Sequence, residues 1–360
     1  MLKKEYDLIL TACLRNRTDS EEEKLNGLVS EEMDWGLVGG ELVHHRLGGY
    51  FYSGLSQDQR QYLFPEFLKA LDLLVRAQRQ QTLEVNQALL PILNRLEEEG
   101  IRYAALKGAV FNASIYALGE RRSNDSDILV LEDDLDKLDI ILREAGYIQS
   151  MMHNGQLVEA TRREKMIQRM NHHDLVPYVR ALDGAFLDKH EIDINFHFDN
   201  KENDITRKVF DQGTFVYEGV HYTIRGLPWE THLAHLCVHF HREGSSSIWS
   251  SGRRDVVLYK IIDIANTIRL SYTDPAKNMD EWADTMIQLN LTKEAYYTLH
   301  HIQSFYKDLV PADLVATLMP EDTRYVQEIE ISGERRYEQR KTSFYDDAFN
   351  LFFQTKPNKG

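Results

Sequence analysis

Cysteine is almost missing from this chain. Cys13 and Cys237 are its only two among 360 residues, which excludes a disulfide framework and a cysteine-built metal module and fits a reducing cytoplasm. Long apolar runs are missing too. No stretch reaches the length needed to span a bilayer, so no membrane partner is expected. The one N-terminal apolar run, Leu8 to Leu14, is broken by Thr11, preceded by Glu5 and Asp7, and followed by no small-residue cleavage site. It reads as an amphipathic first helix rather than a signal peptide. Positive charge is in deficit: 42 Lys and Arg stand against 57 Asp and Glu, a net −15. Such a chain repels a long polyanion, and no basic arm or Arg-rich stripe offsets this, so long nucleic acid is disfavoured as a partner. No internal repeat is present.

What is present is a change of pattern along the chain. Residues 1–99 carry helical periodicity, with Leu71, Leu74, Val75, Leu89, Leu93 and Leu96 recurring at helical spacing. Pro91 should kink or restart that helix. Gly100, after Glu97-Glu98-Glu99, should cap it in the left-handed region. Residues 100–227 switch to short apolar runs. Tyr103-Ala104-Ala105-Leu106 reads as a buried strand entering the turn Lys107-Gly108, followed by a helix over 109–118 and a strand over 127–131. An amphipathic helix over 133–145 is closed by Gly146. Stretches 175–181 and 186–198 read as strands flanking the hairpin signal Asp183-Gly184, with Pro177 placing the first near a sheet edge. From Pro228 the pattern is helical again, over 229–242, 255–270, 280–289 and 291–306, with the serine-rich stretch 245–252 as a loop and a polar, frayed end from Thr355. The order implies an α+β fold: a mixed sheet with flanking helices in 100–227, and helical parts at 1–99 and 228–360.

The chemistry-bearing residues concentrate in the middle part. Asp125-Ser126-Asp127 enters a strand, where residues two apart share a face, so Asp125 and Asp127 project together. Two carboxylates held that close repel unless a cation lies between them. Mg²⁺ suits the position, since it prefers oxygen ligands and accepts phosphate in its shell. Asp193, within Ile192-Asp193-Ile194, sets a third acid in an apolar strand, with Asn195 and His197 following on the same face. An acid in that setting needs a partner, which a metal supplies. Lys107-Gly108, at a strand end, allows backbone N–H groups to approach a phosphate. Arg121 and Arg122, just ahead of the acids, can grip a triphosphate, and Ser126 is a further candidate contact to the nucleotide.

In this order, Leu106-Lys107-Gly108, Arg121-Arg122, Asp125-x-Asp127-Ile128-Leu129-Val130, Gly146-Tyr147 and Ile192-Asp193-Ile194, the chain resembles the polymerase-beta-type nucleotidyltransferase superfamily over residues 95–270. Within it, the chain is most similar to the little-characterised bacterial nucleotidyltransferase family proteins. The resemblance implies Mg²⁺-dependent transfer of a nucleoside monophosphate from an NTP, ATP first, to an acceptor hydroxyl, with release of pyrophosphate. It implies two Mg²⁺ ions held by Asp125, Asp127 and Asp193, with Asp193 also placed to take the acceptor proton. The phosphates would meet Lys107, Gly108, Arg121, Arg122 and Ser126. That group also tends to carry a histidine after the third acid, a helix with His and a helix with Asp. Those positions correspond to His197, to His235 and His239, and to Asp263, which together with Arg253 become acceptor-side candidates. The chain departs from the wider superfamily in having Lys107-Gly108 where Gly-Ser is usual. It also has Asn195 where many relatives place the histidine.

A second class stands beside the enzyme: a catalytically inactive nucleotide-binding or regulatory module on the same scaffold. The three acids favour turnover; the missing Gly-Ser favours the module. His235 and His239 have the spacing of zinc ligands on a helix, but no glutamate follows His235 directly and no third ligand is evident. Core or cleft-wall histidines are the plainer reading. Arg253-Arg254 is either a solvated helix start or a second phosphate clamp, His172-His173-Asp174 either a metal cluster or a polar loop, and Cys237 a core residue. The acidic balance leaves a small molecule, peptide or protein as the expected acceptor.

Overall fold

The computed structural model describes residues 4–123, 125–153, 156–273, 279–331 and 336–349; the expected fraying from Thr355 lies outside them. Four helices, α1 (Lys4–Cys13), α2 (Asp19–Val29), α3 (Trp35–His44) and α4 (Gly48–Gly54), and the single helical turn Gln57–Arg60 lead into the long helix α5 (Pro65–Glu98). Pro65 opens α5, where its missing N–H has no intrahelical partner to lose. The helix continues through Pro91, so that proline does not restart it. Gly100 stands at φ +69°, a left-handed stop that glycine takes without strain.

Next come β1 (Tyr103–Ala105), α6 (Gly108–Ser114), β2 (Ser126–Val130), α7 (Leu135–Glu144), β3 (Ile148–His153), β4 (Gln156–Glu159), α8 (Arg162–His172), β5 (Tyr178–Ala181), β6 (Lys189–Asn195), α9 (Ile205–Asp211), β7 (Phe215–Glu218) and β8 (Thr223–Gly226). There follow α10 (Trp229–Gly244), α11 (Tyr259–Thr273), α12 (Met279–Gln288), α13 (Thr292–Phe305) and the hairpin of β9 (Glu328–Ile331) and β10 (Arg336–Gln339), with short helices at Ala312–Thr317 before the hairpin and Phe344–Phe349 after it. The serine-rich stretch is not all loop, since Ser247–Ser250 forms one helical turn. The fold is α+β, a mixed sheet with helical parts before and after it. Contacts divide the chain into two units, one of Met1–Leu71 with Leu233–Gly360, the other Asp72–His232.

The unit Asp72–His232 holds an eight-stranded sheet in the order β4-β3-β5-β6-β2-β1-β8-β7. β2 pairs antiparallel with β1 and parallel with β6, and β1 pairs parallel with β8. β5 and β6 form the antiparallel pair around Asp183-Gly184. β5 lies between β3 and β6 and not at an edge. Pro177 stands just before β5, so its missing N–H interrupts no ladder, and its carbonyl accepts from the Ser150 N–H at 3.1 Å. Val85, Leu89, Ile92, Leu93 and Leu96 of α5, Val110 and Phe111 of α6, and Leu138 and Leu142 of α7 are buried with Ile128, Leu129 and Val130 of β2.

The other unit is helical. Leu8, Ile9 and Leu10 of α1, Tyr50 and Phe51 of α4, Ile261, Ile262, Ile264 and Ile268 of α11, and Tyr297 and Ile302 of α13 form its buried apolar interior. Asn266 accepts from the Arg15 N–H at 2.8 Å and donates to the Cys13 carbonyl at 3.2 Å, tying α11 to the end of α1. Among the described residues no helix is long and apolar enough to cross a membrane.

Candidate active site

The central strand of the sheet, β2, is buried along its whole length. Its parallel register with β6 pairs Ser126 with Ile192 and Asp127 with Asp193. Paired residues point to one face of the sheet, and neighbouring strands lie about 4.8 Å apart, so the two aspartates stand side by side. β6 alternates cleanly: His190, Ile192 and Ile194 are buried, while Lys189, Glu191, Asp193 and Asn195 between them are half-buried. The buried face carries a lock. Ser126 Oγ lies 2.9 Å from His190 Nε2, and the Tyr147 hydroxyl lies 2.6 Å from His190 Nδ1. A slip of one residue would flip every side chain to the other face, so the Ser126–His190 bond supports the register that sets Asp127 beside Asp193. This corrects the reading of Ser126 as a nucleotide contact. Its hydroxyl is buried on the face opposite Asp127 and committed to His190.

On the acidic face, Lys107 Nζ lies 2.7 Å from Asp127 Oδ1. Asp125 precedes β2 and keeps solvent contact. Even so, partial desolvation and then Asp127 push its carboxyl above the ordinary 3.8, against the pull of Lys107 and Arg121. Asp193 is pushed well above 3.8, first by burial and then by Asp127, Asp125 and Glu191. The three aspartates therefore act as one electrostatic group. Glu191 joins them and was passed over in the sequence. It lies two residues before Asp193 on the same face of β6, so the period-2 argument finds it, and it pairs with Lys189 Nζ at 3.0 Å.

Lys107 adopts φ +46° and ψ −117°, a region that costs a non-glycine residue on the order of 1–3 kcal/mol. Its N–H donates to His232 Nε2 at 2.9 Å. His232 is fully buried, with its ring stacked on Phe111 at 5.0 Å and on Trp229 at 6.1 Å between centroids. Burial, then Lys107 and Arg121, pull its pKa down to about 3, so the ring stays neutral and accepts. Gly108 follows in a tight place: a Cβ there would lie 2.2 Å from Ser123 Oγ and 2.6 Å from Arg121 Nη1, so both side chains would have to shift. Arg121 is buried, donates to Ser123 Oγ at 3.1 Å and places its guanidinium 5.5 Å from the Phe111 ring centroid. Arg122 is exposed.

The remaining sequence candidates lie on other elements. His197 lies beyond the end of β6, buried, with its ring 4.4 Å from that of Phe196 and 5.7 Å from that of His173. His172 lies outside the described side chains. His235, His239, Arg253 and Asp263 belong to the helical unit. There, the His235 and His239 rings are 6.3 Å apart, and His239 Nε2 lies 3.5 Å from Glu243 Oε1. The buried Asp263 accepts from the Tyr50 hydroxyl at 2.9 Å. Arg253, at φ +52°, lines a pocket with Ser247, Ser250 and Ser251.

Among the described residues no three or more of His, Cys, Asp and Glu close into a preformed metal cage; Lys107 sits against Asp127 instead. The donor set nonetheless suits a hard divalent cation. It offers only carboxylate oxygens, and the mutual repulsion that adds to burial in raising Asp125 and Asp193 is what a bound cation relieves.

A strand-borne acid pair, a third acid leading into the strand and a lysine turn beside them make up the candidate site. The chain belongs to the uncharacterised nucleotidyltransferase family, whose model matches residues 31–307. Among solved structures it is similar to an antigenic nucleotidyltransferase-like protein from Paracoccidioides brasiliensis, at 14% identity and a TM-score of 0.38, over 65% of this chain and 93% of that one. No curated protein matches the chain.

Proposed function

We propose that this protein transfers a nucleoside monophosphate from an NTP, ATP in the first instance, to an acceptor hydroxyl and releases pyrophosphate. The observation that carries the reading is the in-register pair Asp127–Asp193 with Lys107 seated on Asp127. Asp125, Asp127 and Asp193 would hold magnesium, two ions in the full complex, which supplies positive charge at the reacting phosphate. Lys107, Arg121 and Arg122 would face the phosphates, and Gly108 leaves room at the turn for the Arg121 and Ser123 side chains. The acceptor oxygen bonds to the α-phosphorus while the bond to the α–β bridging oxygen breaks, and pyrophosphate leaves with the electron pair. The acceptor proton passes to Asp193, the carboxylate that stands beside Asp127. His197, His235, His239, Arg253 and Asp263 remain acceptor-side candidates, and the acceptor would be a small molecule, peptide or protein.

The test is magnesium-dependent pyrophosphate release from each of the four NTPs, with pools of hydroxyl-bearing small molecules, peptides and proteins as acceptors. Release in one pool, with a labelled nucleotide on the acceptor, is the expected result. A thermal shift with NTP and magnesium but no release in any pool would favour the inactive nucleotide-binding module.

A further inference from the structure

We infer that His232 is a positioning residue for nucleotide binding: its imidazole holds the Lys107 turn in the conformation that aims the lysine ammonium at Asp127. The inference rests on the transfer reading above and adds a residue 125 positions away in the chain. Two costs meet in one contact. Lys107 keeps a backbone conformation suited to glycine. Nε2 of His232 accepts from the Lys107 N–H, so the proton of the neutral ring sits on Nδ1, and that buried atom has no hydrogen-bond partner among the described residues. A buried donor left unpaired is rare and costly. A fold that needed only to fill this space would do so with a leucine. The stack of Trp229, His232 and Phe111, with Arg121 over Phe111 in turn, holds the ring edge toward the Lys107 amide. Without that acceptor, Lys107 can relax to negative φ. That rotation about N–Cα swings the side chain relative to the N–H, and the ammonium leaves Asp127.

The experiment compares His232→Leu and His232→Gln with the full-length wild type. Glutamine is close in volume and carries an amide oxygen near the place of Nε2. The Lys107 ammonium signal in nitrogen NMR, calibrated with Asp127→Asn, reports the ion pair independently of turnover. Expected is loss of the pairing signal and a KM for NTP raised about 10-fold in His232→Leu, with recovery in His232→Gln. In a double-mutant cycle, His232→Leu should cost little further once Lys107→Ala is present. A paired Lys107 in His232→Leu, or fully additive losses, would overturn the inference. If His232→Leu does not fold, a trans-hydrogen-bond nitrogen–nitrogen coupling between the Lys107 amide and His232 Nε2 decides in the wild type. Its presence supports the contact and its absence refutes it. If the wild type releases no pyrophosphate, the transfer reading fails while the ammonium signal still judges His232.

Discussion

Replacing Asp193 with asparagine should make the metal-free protein more stable, although it removes a group assigned to catalysis. Asp193 faces Asp127 across a strand spacing of about 4.8 Å and also feels Asp125 and Glu191. Two unit charges about 5 Å apart interact by roughly 3 kcal/mol at an effective dielectric of about 20. The Lys107 ammonium at 2.7 Å from Asp127 offsets much of that, and solvent screens a half-exposed carboxylate further. The net gain from a neutral isostere is then on the order of 1 kcal/mol, or about 2–4 °C in Tm for an unfolding unit of this size. The sign depends on pH. A carboxyl whose pKa is raised in the folded state contributes stability below its ordinary 3.8 and loses it as pH rises through the raised value. The advantage of Asp193→Asn should therefore be present at neutral pH and vanish toward pH 3.8. Thermal and urea unfolding in chelator, across a pH series, measure it. Adding magnesium should reverse the order, because only the wild type then gains binding energy. An asparagine variant that is less stable at neutral pH without metal would refute the repelled-carboxylate account.

Asp127→Asn should lower kcat by about 100-fold or more while circular dichroism and Tm stay near wild type, since it removes one charge from the face proposed to bind magnesium. Lys107→Ala should raise the KM for NTP by roughly 10-fold with a smaller change in kcat, the signature of a lost phosphate contact. Ser126→Ala should do the reverse, costing about 1–2 kcal/mol in urea unfolding through the stranded His190 nitrogen and leaving the KM for NTP unchanged. Binding of tRNA or single-stranded RNA should stay weak at physiological salt; submicromolar binding that collapses as salt rises would overturn the acceptor class.

Much of the site was legible because strands impose a period of two. Ile192-Asp193-Ile194 announced an acid projecting from an otherwise apolar strand, and β6 places it so. The same parity, applied strictly, excludes Ser126 from the face of Asp127 and adds Glu191 to that of Asp193. Both points lay in the sequence and needed only consistent use of the rule. Other features were not legible. β3, β4, β7 and β8 were missed because hairpins such as Gln156-Leu157-Val158-Glu159, at the rim of a sheet, carry little apolar patterning. Pro91 lies within a helix of 34 residues, where the buried face of Leu89, Ile92, Leu93 and Leu96 outweighs one missing hydrogen bond. His232 could not be linked to Lys107 at all. Its neighbours in sequence, His235 and His239, drew attention by their spacing, whereas the contact that matters is closed by tertiary structure.

These findings meet in the charge balance of one face of one sheet. Local sequence brings the negative groups together, because β2 and β6 each deliver acids by parity and the ladder sets them in register. The positive groups arrive by a different route. Lys107 sits on a strained turn, Arg121 folds inward over Phe111, and the contacts that hold them come from Gly108, Ser123 and the distant His232. Desolvation and like charge raise Asp125 and Asp193 against the weaker pull of Lys107, whose ammonium sits directly on Asp127. Left alone, the face is therefore under-neutralised at the carboxylates and holds its lysine at a conformational cost. A ligand that brings divalent cations to the acids and phosphate oxygens to Lys107 relieves both at once. A bare anion would meet the aspartates, and a bare cation would meet the lysine. The proposed metal–nucleotide complex would satisfy the two halves together, and that charge balance is the physical ground for proposing it.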